Sequence, residues 1–141
     1  MKSVHTIVLI SCVSQKLPHQ ARAAEVYTSP LFVGALRYAR ALHPDAIYIL
    51  SAKYGLLDLE TEIEPYDMTL LNMRVDQVRA WAERVLEQLR LCTDLQRDHY
   101  VFLAGEKYRK YLVPHMRSYE VPMQGMRIGE QLQFLARNGH E

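Results

Sequence analysis

The chain has 141 residues, 49% hydrophobic and 23% charged, with 17 basic and 16 acidic side chains and a formal net charge of +1. That length fits a single domain with a real core, and the composition excludes a disordered chain. The near-zero charge removes any bulk electrostatic case for nucleic acid and leaves room only for a local basic patch.

Cys12 and Cys92 match neither a zinc spacing nor a disulfide framework, and they fit reduced thiols in a cytoplasmic protein. The apolar run near the N-terminus is too short to span a bilayer, and no small-residue cleavage site follows it. No membrane association is expected.

The continuous apolar run 5–10 predicts a first buried strand, with its exit at Ser11-Cys12 and a polar loop reaching Lys16 before the turn signal Leu17-Pro18. Ala21 to Val26 reads as a short helical turn. Ser29 as N-cap and Pro30 at the first helical position open a helix. Its apolar face carries Leu31, Phe32, Ala35, Leu36, Tyr38, Ala39 and Leu42, and His43-Pro44-Asp45 stops it.

The run 47–50 is a second buried strand. It changes character within three residues at Ser51, Lys53 and Tyr54, and Gly55 gives the backbone freedom for a sharp exit. Leu57 to Met73 reads as an irregular but ordered excursion with four acids (Asp58, Glu60, Glu62 and Glu64), followed by Pro65-Tyr66-Asp67.

Arg74 to Leu91 is the clearest helix. Val75, Val78, Trp81, Ala82, Val85, Leu86 and Leu89 form its buried stripe, with Trp81 a core anchor. A third strand covers 100–104, and Gly105 opens a helix from Glu106 to about His115. A short fourth strand covers 120–123, where Pro122 marks an edge or strand end. A final helix, 128–137, buries Leu132 and Leu135. Alternating strands and helices imply an α/β fold: one three-layer domain with a small, mostly parallel four-stranded sheet.

In such sheets ligands bind beyond the carboxyl ends of the strands. The candidates there are Ser11, Cys12 and Lys16 after the first strand, and Ser51, Lys53 and Tyr54 after the second. The Gly105 backbone follows the third, and Gly125 and Gly129 follow the fourth. Glycines beside helix starts let N–H groups approach an anion or a carbonyl, though caps and tight turns use them as well.

Two lysines on one rim offer either a neutral nucleophile or base, or two cations that hold a phosphate or carboxylate. Asp67 and Glu64 could supply a general base or balance that charge, and Asp67 reads equally as a turn residue. Cys12 is a nucleophile candidate, with a small buried hydrophobe as the alternative. No histidine stands in a Cys/His arrangement or at metal-ligand spacing, so neither a metal nor another cofactor is expected.

Several blocks carry a family resemblance: Ser11-Cys12 with Lys16, Tyr27-Thr28-Ser29, Leu50 to Leu56, Pro65-Tyr66-Asp67, Ala104-Gly105 with Tyr108, and Pro122 to Gly129. Over nearly the whole chain they resemble an uncharacterised bacterial family of small α/β proteins known as a domain of unknown function. More remotely the chain is similar to the YaaA peroxide-stress proteins and the archaeosine synthase core, a group with a fold similar to uracil-DNA glycosylases. By that resemblance Lys16 corresponds to a lysine used on a modified guanine base, with one additional residue before it here.

The resemblance implies an enzyme on a nucleobase, nucleotide or DNA, cleaving an N-glycosidic bond or exchanging a base. In that reading Tyr54 and Tyr66 hold the base, Lys16 and Lys53 bind phosphate or stabilise the departing base, and Asp67 orients water. Tyr27, Ser29, Gly55 and the crevice glycines join the binding surface. Two alternatives remain: a non-catalytic nucleic-acid or nucleotide binder in stress response or phage defence, and a small-molecule sensor.

Overall fold

The computed structural model describes residues 3–11 and 16–139. Strand β1 (Thr6–Ser11) pairs in parallel with β3 (Ala46–Ser51) on one side and β6 (His99–Leu103) on the other. Ile7 to Ile10 are at most 3% exposed, as expected of a β-branched run covered on both faces.

On one face β1 contributes Val8 and Ile10 to a core shared with α1 (Ala23–Val26), α2 (Pro30–Ala41) and Leu135 of α5 (Ile128–Asn138). On the other, Ile7 and Leu9 meet Trp81, Val85, Leu86 and Leu89 of α3 (Val75–Cys92) and Tyr108 of the short α4 (Glu106–Arg109). As expected, Ser29 caps α2, its Oγ accepting the Phe32 N–H at 3.2 Å.

The main sheet has five strands rather than the expected four, in the order β4-β3-β1-β6-β7. The extra strand, β4 (Gly55–Asp58), folds back antiparallel to β3, with Ser51 opposite Gly55 and Tyr48 opposite Asp58. The polar residues after the second strand are therefore the tip of a hairpin, because Gly55 takes φ 77° and reverses the chain immediately.

The segment 57–73 is more regular than expected too. β5 (Glu62–Ile63) pairs antiparallel with β2 (Ala21–Arg22), and a 3-10 turn covers Leu70–Asn72. Burial would raise the Asp58 carboxyl, but hydrogen bonds from the Thr61 hydroxyl and the Glu60 and Thr61 N–H groups hold it below its ordinary range.

β7 (Ser118–Glu120) precedes the expected fourth strand, and the chain leaves the ladder before Pro122, which has no N–H to donate. The helix expected over 106–115 is only α4 and a 3-10 turn at Val113–His115. Val75, Leu42 and Leu132, expected on buried faces, are 59%, 40% and 37% exposed. They sit at helix ends or beside a crevice, where the facing layer does not reach.

Two expectations follow for stability. Gly55→Ala should cost about 1–2 kcal/mol in urea unfolding, because the left-handed backbone disfavours a Cβ and that Cβ would also meet the Gln88 side chain. Burial pushes the Tyr100 phenol up to about 12, and burial with the Cys92 thiol does the same for Tyr48. Both phenols stay neutral in the folded protein while the unfolded chain ionises near pH 10. Stability should therefore hold below about pH 10 and fall towards pH 12. Tyr100→Phe should flatten that decline in denaturation midpoints measured across this range.

Candidate functional site

Two neighbouring groups of residues occupy the carboxyl ends of the strands. The first is built on the hairpin after β3. Ser51 is fully buried, and its Oγ accepts the Tyr54 N–H at 3.0 Å while donating to the Tyr66 hydroxyl at 2.9 Å. The Tyr66 and Tyr27 hydroxyls lie 2.5 Å apart, which extends the hydroxyl chain across three segments of the polypeptide.

The Lys16 ammonium stands 4.7 Å from the centre of the Tyr66 ring and 5.9 Å from that of Tyr27, an arrangement that holds a cation by the ring quadrupoles. Lys53 stands 5.2 Å from the Tyr54 ring, and Tyr54 meets Tyr66 edge to face at 5.7 Å. The two amines thus flank one aromatic pair.

Helix α3 holds this hairpin from behind. Trp81 Nε1 donates to the Ser51 carbonyl at 2.8 Å, and Arg84 donates to the Lys53 carbonyl at 3.0 Å. Gln88 accepts the Leu56 N–H at 2.9 Å and donates to the Tyr54 carbonyl. Positions 81, 84 and 88 share one helix face by their spacing. Backbone groups that a tight turn would leave unpaired are satisfied by one helix. Trp81 is both the core anchor expected and a hydrogen-bond donor to the site.

The second group lines a crevice of about 560 Å³. From β1 the chain crosses to β3, whereas from β6 it continues to β7 on the opposite side, so their carboxyl ends form the topological switch point of the sheet. There the Gly105 N–H donates to Ser11 Oγ at 3.3 Å. Ser29, Phe32, Met123, Gly125 and Leu132 contribute to the walls. The charged groups at its border are Glu106, Lys107 and Arg109. Arg109 donates to the Ala104 carbonyl at 3.0 Å, and Gln131 to the Met126 carbonyl at 3.0 Å.

The expected residues therefore divide. Ser11, Ser29, Gly105 and Gly125 line the crevice, while Lys16, Tyr27, Ser51, Lys53, Tyr54 and Tyr66 form the hairpin cluster. Gly55 shapes the hairpin, and Gly129 lies just past Ile128 at the crevice edge without lining it. Asp67 and Glu64 are exposed and line no part of the crevice. Cys12 lies outside the described residues.

Glu106, Arg109 and Gln131 are not legible in the sequence as site residues, because only the packing of α4 and α5 against the sheet end brings them to the crevice; Gln124 reaches it from the turn before α5. Among the described residues no group of three or more His, Cys, Asp and Glu side chains is placed to hold a metal ion. No helix among them is long and apolar enough to cross a membrane.

Fold and crevice define a mixed α/β protein with a ligand-sized cleft at the switch point of a mostly parallel sheet. The chain belongs to the family of unknown function DUF6884, whose model matches residues 7–137. No curated protein matches it.

Ser51→Ala should lose about 1–3 kcal/mol in urea unfolding, since the Tyr54 N–H loses its acceptor. Paired with Tyr66→Phe in a double-mutant cycle it should show a coupling of about 0.5–3 kcal/mol. Additive losses would mean that the hydroxyls do not act as one unit.

Proposed function

We propose that the protein is a cytoplasmic nucleobase- or nucleotide-processing enzyme that cleaves an N-glycosidic bond or exchanges the base. The observation carrying this reading is the crevice between Ser11 and Gly105. Its apolar walls suit a planar base, and its few polar groups would fix orientation, the usual division of labour in a small-molecule pocket. The resemblance of the motifs to the YaaA proteins and the archaeosine synthase core, with their uracil-DNA glycosylase-like fold, points to the same chemistry.

In this reading the base lies in the crevice and the sugar and phosphate extend over the β3 hairpin towards Lys16 and Lys53. Lys16, held over Tyr66, meets the phosphate or the negative charge that develops on the departing base. A carboxylate is needed to orient the attacking water or to stabilise an oxocarbenium-like sugar. Glu106 borders the crevice and Asp67 does not, so Glu106 takes that role. Water adds to the sugar carbon as its bond to the base nitrogen breaks, and the water's proton ends on the departing base.

The second reading, a non-catalytic nucleotide binder, is favoured by the apolar character of the crevice walls. Incubation with a panel of nucleosides, nucleotides and modified DNA, with released base quantified by chromatography, separates the two. Base release should fall at least about 100-fold in Glu106→Gln and in Lys16→Ala. Folded protein that binds nucleotides without releasing base would establish the second reading.

A further inference from the structure

Beside the crevice, the segment Lys107-Tyr108-Arg109-Lys110-Tyr111 packs against the first turns of α3. The Tyr111 ring has two cations over it: the Arg79 guanidinium at 5.1 Å and the Lys110 ammonium at 5.5 Å. Among the described residues neither cation has a carboxylate within 4.0 Å, and the same holds for Lys107 and Arg109.

Like charges gathered without counter-charge are unfavourable in isolation, and Tyr111 offsets this only in part. Lys107 and Arg109 are fixed differently. The Lys107 ammonium donates to the carbonyls of Leu70, Leu71 and Met73, each at 3.2 Å, and Arg109 donates to that of Ala104. Both border the crevice, so the cations run from its wall outwards to the exposed Arg79 and Lys110.

A free nucleotide with its base in the crevice has no phosphate to place at Arg79 and Lys110, which lie outside the lining. A polynucleotide does, because flanking phosphates continue in both directions from the bound residue. A base stacked inside a duplex cannot enter such a crevice, whereas one in a single strand needs no extrusion. From this juxtaposition we propose that the substrate of the crevice is a single-stranded nucleic acid whose backbone tracks across Lys110, Tyr111 and Arg79. This rests on the reading of the crevice as a nucleobase site and names its substrate class. The net charge of +1 does not oppose it, since a local track of cations suffices for phosphate contacts.

The test is fluorescence anisotropy with a labelled single-stranded 12-mer DNA over a range of salt, beside calorimetry with dAMP. Wild-type protein should bind the 12-mer more tightly than a duplex of the same length. The exposed pair Arg79→Gln and Lys110→Gln together should weaken 12-mer binding about tenfold and reduce the magnitude of the salt slope by about 1 to 1.5, the share of two phosphate contacts. Binding of dAMP should be unchanged, and Arg79→Lys should restore most of the slope.

The proposal is overturned if the double variant binds the 12-mer as wild type does, if duplex binds more tightly, or if wild-type protein binds no 12-mer. Binding of dAMP judges the crevice itself. If it is present while the variants have no effect on the 12-mer, the track fails and the crevice reading stands; if it is absent, the crevice reading fails as well.

Discussion

Strand β1 is the constraint from which the architecture follows. Four consecutive side chains, Ile7 to Ile10, point alternately to opposite faces, and neither face meets water. Such a strand is stable only with a helical layer on each side and a partner strand along each edge. α2 and α5 cover one face and α3 and α4 the other, while β3 and β6 take the edges. The crossovers then leave β1 and β6 in opposite directions, and a crevice at their carboxyl ends is the unavoidable gap.

Around that gap the structure commits polar groups in two ways. The hairpin cluster is internally satisfied: the Ser51 hydroxyl serves the Tyr54 backbone and the Tyr66 phenol, and α3 holds the carbonyls of Ser51, Lys53 and Tyr54. Such a cluster is rigid, because each hydroxyl is positioned by another. The Lys16 ammonium stands over the Tyr66 ring of this cluster, and among the described residues no carboxylate lies within 4.0 Å of it. The crevice differs: its walls are mostly apolar side chains, and its polar border is held by backbone carbonyls. One part positions and the other receives.

Charge follows the same division. Arg22 is paired to Glu25 and Glu60, and Arg74 to Asp76. Among the described residues, the cations beside the crevice are matched to rings and carbonyls instead of carboxylates. A sequence total of +1 hides this separation, since it sums over the surface and carries no information on where each sign lies.

The sequence by itself determined the buried strands at 5–10, 47–50 and 100–104, the start of α2 at Ser29-Pro30 and the long helix carrying Trp81, because period and capping chemistry are local. It also placed Ser11, Ser51 and Gly105 at strand ends. Tertiary structure alone decided the fifth strand, since the chain after Gly55 reads as the start of an irregular excursion until Leu56 and Leu57 are seen paired back onto β3. It alone decided that Glu106, Arg109 and Gln131 border the crevice while Asp67 faces solvent. The physical reason is that strand and helix propensities act over a few residues, whereas the aim of a side chain depends on which distant segment packs beneath it.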